Sequence, residues 1–467
     1  MNSPRLRFAT AAISLALAIF THAQKAELTL DECLAIALND NPTVKVADME
    51  LTKADWSKKE TIGQLLPTLS FDGSYNRTLQ KQVMYMGMDS FGGEESEGDS
   101  PADNPMAGLG GGDGGIKVGL DNMYSLGFQA SLPLIAPQLW ASLKLSDTQI
   151  EQAAEQARAS RLDLVNQVKN AYYALLLAYD SQKAVKESYD MASLTHDTYV
   201  KRQQAGDASE YDVLRTSVAM KNIEPEMIQC DIAIRRAHLQ LAILMGLEAT
   251  APFTIAGTLS DYEDNSYAEA LALQPDLTNN TSLAQNALQT KALSQTLSLQ
   301  KASLWPTLAL AGNYSWNSSS NGSPFRNFRW TSYSMIGLQL SVPIFQGGQR
   351  ASRIKQAKIQ LEEMDWTRQN LTRSLSSQAN IAIDNIRLNV KQISSSQSSV
   401  EEATRAHDIQ EKSFAIGATS YLDLRDSELS LTRARLAYYQ AIYNYLTASS
   451  DLELLLGNAP LEKYSSK

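Results

Sequence analysis

Four short segments of the chain alternate apolar and polar residues with a period of two. They cover residues 69–75, 124–132, 308–316 and 336–342. Each has one apolar face and one face of small polar side chains, which is the pattern of a membrane-spanning barrel strand with lipid outside and water inside. The edge of a soluble β-sandwich shows the same alternation, but nothing in the sequence supplies the second sheet that a sandwich requires.

Two long segments have the opposite character. Residues 138–205 and 349–416 each contain no glycine or proline over 68 positions. Each predicts a continuous helix roughly 100 Å long, at about 1.5 Å per residue. In the second segment apolar residues from Ile354 to Ala403 recur in steps of three, four, seven and eight. Such a narrow seam, bordered by Ser, Gln and Asn, is typical of helices that pack on each other and also contact water.

The sequence repeats itself at a nearly constant spacing. The matching pairs are Pro133 and Pro343 at 210 residues, and Gly206 and Gly417, Asp212 and Asp423, and Gly246 and Gly457 at 211 residues. Pro67 and Pro306 lie 239 residues apart, so the first copy carries about 29 extra residues. These lie in the glycine-rich, acidic loop 84–115, which is predicted to be mobile and solvated, with a gating or ligand-binding role as the alternative.

The first 23 residues are predicted to be a signal peptide. Arg5 and Arg7 precede an apolar run of 13 residues, and a small residue, Ala23, closes the segment. The run is too short to span a bilayer as a helix; a buried amino-terminal helix is the alternative. The predicted organisation is therefore a signal peptide (1–23), a first repeat (24–250) and a second repeat (251–467).

Composition and charge argue against catalysis and against nucleic-acid binding. Without residues 1–23 the chain has 39 basic and 51 acidic residues, a formal net charge of −12, whereas nucleic-acid binding needs a basic face. His196, His238 and His407 have no second histidine or cysteine three or four residues away. The chain also has neither a P-loop nor a GxSxG motif. The sequence therefore predicts neither an enzyme nor a bound cofactor.

Four strands per chain are too few for a closed barrel. An open sheet edge in lipid leaves backbone groups unpaired, at several kcal/mol each, and about eight strands is the smallest closed number. The chain is therefore predicted to oligomerise, and three copies would supply twelve strands. Aromatic residues near one strand connection, Trp316, Trp330 and Tyr333, are predicted to lie at the barrel rim beside lipid headgroups.

Tandem copies of a strand hairpin with paired long helices resemble the TolC family of outer membrane efflux proteins. The matching motifs are LDECLAIALNDNP (30–42), LLP ending at Pro67, LQPDL (273–277), FQGGQR (345–350) and both glycine turns. One difference is the step from Pro275 to Pro306, which is 31 residues where the first copy has 25. This difference predicts an insertion near Asn279 and Asn280.

The resemblance implies a fold that is mainly α with a small β part. It implies a homotrimer with a twelve-stranded barrel among outer membrane lipids, continued by an α-helical barrel in the periplasm. Such proteins are exit ducts for drugs and other small molecules, with type I protein secretion as the alternative cargo. They act with a periplasmic adaptor and an inner membrane transporter of RND or ABC type, and they need no nucleotide or metal site of their own. A periplasmic coiled-coil structural or adaptor protein without a barrel is the alternative from a different class.

The resemblance also assigns roles to residues near the two glycine turns. Gly206 and Gly417 would lie at the periplasmic tip, where the adaptor docks. Asp423 and Asp426 would ring the periplasmic aperture, and Asp212 would help to tie neighbouring helices shut. In the family the partners of that tie are a tyrosine and an arginine. Phe414 and Thr419 occupy those positions here, so the same tie is not expected to form.

Two interpretations of Asp423 and Asp426 follow from their chemistry. Three copies would place six carboxylates around one opening, where they would attract cations and raise one another's pKa. Alternatively, the same carboxylates lie in the first turns of a helix and stabilise its amino terminus.

Overall fold

The computed structural model describes residues 27–84, 116–248, 251–262, 274–323, 329–459 and 461–464. The predicted signal peptide and residues 85–115 of the predicted loop lie outside these ranges. Within them the chain is mainly helical. It also contains one four-stranded and two two-stranded sheets.

Two of the helices are very long. The helices are α1 (Leu30–Asp40), α2 (Pro42–Gly63), α3 (Pro137–Gln204), α4 (Glu210–Lys221), α5 (Glu224–Leu244), α6 (Thr281–Ala302), α7 (Gln349–Ala415), α8 (Tyr421–Leu456) and α9 (Leu461–Tyr464). The 68 residues of α3 and the 67 of α7 confirm both predicted long helices. The apolar seam of α7 is buried at Leu375, Ile383, Ile386 and Ile393. Among the described residues, no helix combines the length and apolarity needed to cross a membrane.

The four predicted strands are all present, and they form one antiparallel sheet. The full set of strands of the described residues is β1 (Glu27–Leu28), β2 (Thr68–Arg77), β3 (Gln82–Met84), β4 (Ile116–Val118), β5 (Asn122–Ile135), β6 (Thr254–Ile255), β7 (Thr307–Ser320) and β8 (Thr331–Ser341). The predicted strands in that set are β2, β5, β7 and β8. The four-stranded sheet has the order β2-β5-β7-β8, so the central pair, β5 and β7, joins the two sequence repeats. β2 and β8 are its edges.

The register of this sheet places most of its large apolar residues on one face. Phe71 is opposite Phe128, and Phe128 is opposite Tyr314; the two phenylalanine rings are 5.0 Å apart. This face is exposed, since Leu69 keeps 72% and Ile336 keeps 77% of its surface accessible. The other face has mostly small or polar side chains, such as those of Ser, Thr, Asn, Gln and Gly. An exposed apolar face opposite a polar one is the pattern of a strand between lipid and water.

The residues fall into two compact units that do not follow the two repeats. One unit comprises Met1–Trp56, Asp147–Ser294 and Ile359–Lys467, and the other comprises Ser57–Ser146 and Gln295–Lys358. The first contains the largest apolar core, in which the fully buried Tyr172 donates a hydrogen bond of 2.7 Å from its hydroxyl to the carbonyl of Ala256. The second contains the four-stranded sheet. Each unit therefore draws on both repeats.

Two asparagines hold the carboxyl ends of helices in equivalent ways. The Nδ2 of Asn41 donates to the carbonyl of Leu244 (2.8 Å), and the Nδ2 of Asn280 donates to the carbonyl of Leu455 (2.6 Å). Their Oδ1 atoms accept from backbone amides at the start of α2 and α6. Each asparagine thus satisfies a carbonyl that a helix end leaves unpaired and an amide that a helix start leaves unpaired. We call these two arrangements the helix-end clamps.

The helix-end clamps show that the prediction of an insertion near Asn279 and Asn280 was wrong. Asn280 is the structural counterpart of Asn41, and the two are 239 residues apart, as are Pro67 and Pro306. The step from clamp asparagine to strand proline is therefore 26 residues in both copies (67 − 41 and 306 − 280). Matching Pro42 with Pro275 was wrong because the asparagine side chain, and not the proline, is the equivalent structural feature.

Candidate functional site at the two helical turns

At each of the two predicted turns a helix ends at a glycine, and the backbone geometry of the two ends is the same. Gly206 ends α3 with φ +87°, and Gly417 ends α7 with φ +76°. After α3, the amide of Asp207 bonds the carbonyl of Arg202 (2.8 Å); after α7, the amide of Ala418 bonds that of Ser413 (2.9 Å). This Schellman geometry requires a left-handed residue, which glycine adopts without a steric penalty. The 211-residue repeat therefore reproduces one turn twice.

The predicted site residues Asp212 and Asp423 form capping boxes just after the turns. The Oδ2 of Asp212 accepts hydrogen bonds from the amide (3.3 Å) and hydroxyl (2.7 Å) of Ser209. The Oδ2 of Asp423 accepts the same two bonds from Ser420 (3.3 and 2.7 Å). Each serine hydroxyl in turn accepts the backbone amide of its aspartate. Asp423 thus forms a helix cap, as one of its two interpretations expects, and Asp212 forms the same cap on α4.

Thr419 belongs to the second cap. Its hydroxyl donates to the Oδ2 of Asp423 at 3.1 Å. Asp212 bonds within its own turn, to Ser209. Phe414 instead packs its ring against Tyr199, with centroids 6.3 Å apart. The structure therefore brings Thr419 together with Asp423, while Asp212 and Phe414 have separate partners. Asp426 lies one turn further along α8 and is exposed.

Strong acidification is expected to loosen both caps. Their hydrogen bonds hold the pKa of Asp212 and of Asp423 below the usual 3.8. A lowered pKa means that the stabilisation is complete above pH 3.8 and is lost as pH falls through the lowered value. Hydrogen-exchange protection of the two aspartate amides should therefore stay constant from neutral pH down to about pH 4 and fall below it. Loss of protection beginning near pH 6 would contradict the assignment of the effect to these two carboxylates.

The hairpin formed by α3 and α4 contacts the hairpin formed by α7 and α8 through a set of aromatic rings and guanidinium groups. We call this set the tip cluster: Tyr199, Arg202, Arg215, Phe414 and Tyr421. The ring of Tyr199 contacts those of Phe414 and Tyr421 (centroids 6.3 and 5.6 Å). The guanidinium of Arg202 lies over Tyr199 (5.9 Å) and Phe414 (5.8 Å), and that of Arg215 lies over Tyr421 (4.5 Å). Cation–π and aromatic contacts at these distances contribute roughly 0.5–2 kcal/mol each.

A buried ion pair continues this connection. The Nη1 of Arg425 is 3.5 Å from the Oε2 of Glu428, whose side chain is 4% exposed. The Nη2 of Arg425 also reaches the carbonyl of Ala219 on α4, at 3.5 Å. Burial raises the pKa of Glu428, and Arg425 opposes that rise. Arg425 therefore joins α8 to α4. Removing either partner of the ion pair would leave the other charge buried and unpaired, which is costly.

A histidine links the helices of each hairpin in the same way. The Nδ1 of His196 is 3.0 Å from the hydroxyl of Thr216, and the Nδ1 of His407 is 3.3 Å from that of Ser427. Both members of the second pair lie 211 residues after those of the first. His407 is buried and His196 is partly buried. Their place in the internal repeat could have been found from the sequence, because the spacing is already visible there.

The predicted rim aromatics do not share one face of the sheet. Trp316 lies on the apolar face, where it contacts Tyr314 (4.7 Å between centroids) and is opposite Leu126. Tyr333 is opposite Ser315 on the polar face and is exposed. Trp330 precedes β8 and is also exposed. Their roles at a barrel rim stay predictions.

Comparison with known proteins agrees with this architecture. The family model described as outer membrane efflux protein matches residues 34–247 and 272–458. The chain is 21% identical over 343 residues to the outer membrane protein TolC of Vibrio cholerae, which covers 72% of this chain and 77% of the relative. It is 25% identical over 316 residues to the cobalt-zinc-cadmium resistance protein CzcC of Cupriavidus metallidurans, which covers 66% of this chain and 72% of the relative. The solved Campylobacter jejuni CmeC outer membrane channel has a TM-score of 0.70 at 17% identity, covering 92% of this chain and 85% of the channel.

The fold is therefore that of a TolC-like outer membrane channel. The chain belongs to the outer membrane efflux protein family. It is an outer membrane exit duct for an efflux or secretion system, with its helical part in the periplasm. The family is one of transport channels and not of enzymes.

Proposed function

We propose that three copies of this chain close one twelve-stranded barrel and one duct. The supporting observation is the sheet: β2 and β8 are open edges, and its apolar face is exposed. Unpaired edge groups in lipid cost several kcal/mol each, so β8 of one copy would pair with β2 of the next. This sheet also disfavours the alternative of a coiled-coil protein without a barrel. Native mass spectrometry of the detergent-extracted protein should show three copies, and a stable monomer would contradict the proposal.

We also propose that the two helical turns form the periplasmic end of the duct. There they would meet a periplasmic adaptor coupled to an RND or ABC transporter, which supplies the energy. The repeated turn geometry at Gly206 and Gly417 supports this, because it presents two equivalent hairpin ends per copy. The domain division at residues 24–250 and 251–467 is part of the same proposal.

Asp423 and Asp426 are proposed to line the aperture at this end. Both side chains are exposed on the first turns of α8. In three copies they would place six carboxylates around one opening and attract cations. Asp423 also serves a helix cap, so its removal changes two properties at once. Asp426 is the better position for a test because it lies beyond the cap.

The aperture is tested by single-channel recording in planar bilayers. Asp426→Asn, and more strongly Asp423→Ala with Asp426→Ala, should lower the preference for cations and weaken block by multivalent cations. Ser420→Ala is the matched control, because it removes the cap hydroxyl, at a cost of about 1 kcal/mol, and keeps both carboxylates. Unchanged selectivity in the double variant would refute the aperture role. A Ser420→Ala effect as large as that of the double variant would assign the change to the cap.

A further inference from the structure

One charged side chain interrupts the neutral polar face of the sheet. Within the four strands β2, β5, β7 and β8, Asp72 is the sole charged residue on that face. It lies near the middle of β2 and is exposed. Its Oδ2 accepts a hydrogen bond of 3.0 Å from the hydroxyl of Ser70, a neutral group on the same strand.

The neighbours of Asp72 leave its charge open to the water side of the sheet. Gly127 is opposite it on β5 and has no side chain, and Ser315 follows in the same row on β7. A side chain on Gly127 would lie 3.0 Å from both the Cβ of Ser315 and the carbonyl oxygen of Tyr314, so the strands approach closely here. No arginine or lysine of the four strands lies on this face. The charge of Asp72 is therefore not neutralised by the four strands; Arg329, just before β8, lines a pocket on this face with Ser74 and Asn76 but not with Asp72.

We propose that Asp72 makes the barrel lumen of this duct select cations over anions. The proposal rests on the proposed trimeric barrel, in which the polar face lines the water-filled interior. Three copies would place three carboxylates inside the barrel, in addition to the proposed aperture residues Asp423 and Asp426. Fixed charges in a water-filled pore raise the local concentration of counter-ions. The favoured solutes are inorganic and small organic cations, which is consistent with the formal net charge of −12 without the predicted signal peptide.

The test measures reversal potentials of single channels under a potassium chloride gradient, at salt near 0.1 M, where the Debye length is about 10 Å. Asp72→Asn keeps the size of the side chain and removes its charge. We expect the permeability ratio of potassium to chloride to fall about two-fold or more, both in the otherwise unchanged protein and in an Asp426→Asn background. The effect should shrink in 1 M salt, where the Debye length is about 3 Å.

The matched control moves the charge along the same face. Asp72→Ser combined with Ser74→Asp keeps the composition and shifts the carboxylate by two residues, and it should restore the preference for cations. If Asp72→Asn leaves the ratio unchanged while the channel still conducts, the selectivity proposal is overturned and the duct stands. If the double exchange fails to restore the ratio, a charge on this face is not the cause. If the unaltered protein produces no current steps, the result contradicts the proposed trimeric barrel on which the selectivity proposal rests.

Discussion

Gly457→Ala is expected to destabilise the chain strongly. Gly457 ends α8 with φ +71°, a conformation that costs a residue with a Cβ roughly 1–2 kcal/mol. The new Cβ would also overlap the carbonyl oxygen of Asn279 and lie 2.8 Å from its carbonyl carbon. That oxygen is held in place by the Nη2 of Arg158, at 2.9 Å. Overpacking of this kind adds roughly 1–3 kcal/mol, so a total loss of about 2–5 kcal/mol is expected.

Gly417→Ala is the matched control for this prediction. Its φ of +76° is nearly the same, but no atom lies within 4 Å of an added Cβ. It should therefore show only the backbone cost of roughly 1–2 kcal/mol. The two variants are compared by their unfolding midpoints in detergent. Equal midpoints would mean that the contact between the end of α8 and Asn279 does not contribute as described.

Tyr421→Ala is expected to separate the two hairpins at the turns. The Tyr421 ring is buried and contacts Tyr199 and the guanidinium of Arg215. Removing a buried aromatic side chain costs about 3–5 kcal/mol, and here the loss falls on the contacts that join α8 to α3 and α4. If the tip cluster holds the proposed aperture closed, the variant should show a several-fold larger single-channel conductance.

Tyr421→Phe separates packing from hydroxyl chemistry. It keeps the ring contacts, so its conductance should match that of the unaltered protein. Leu422→Ala, at an exposed neighbouring position, is a second control that leaves the cluster intact. Equal conductance for Tyr421→Ala and Tyr421→Phe would exclude the cluster as a closing device. An increase in all three variants would point to general loosening of the turn.

The tip cluster joins the two hairpins without the tyrosine and the arginine of the family's tie. The family resemblance led us to expect a tyrosine and an arginine at positions 414 and 419, and the chain has Phe414 and Thr419 there. In the structure Phe414 takes part in stacking, the guanidinium groups come from Arg202 and Arg215, and Thr419 supports the cap of α8. The sequence did not reveal this set because its members lie on four helices without a common spacing.

The internal repeat made several local features predictable. The glycine turns, the long helices and the alternating strands depend on residues close together in sequence, through left-handed backbone, helix continuity and period-two alternation. The capping boxes were also readable, since Ser209 and Ser420 each precede an aspartate by three residues. The equivalence of Asn41 and Asn280 could not be predicted from the sequence, because the role of each asparagine depends on a carbonyl about 200 or 175 residues away.

The sequence by itself thus determined the long helices, the four strands of the large sheet and their repetition, and its motifs resembled those of a family of outer membrane channels. Hydrophobic period, glycine placement and charge are properties of short segments, and they can be recognised without knowing which segments contact each other. The tertiary structure decided that β5 pairs with β7, that Trp316 and Tyr333 lie on opposite faces, and that Tyr421 contacts Tyr199 and Arg215. These contacts join residues distant in sequence, so they follow from packing and register, which no local pattern specifies.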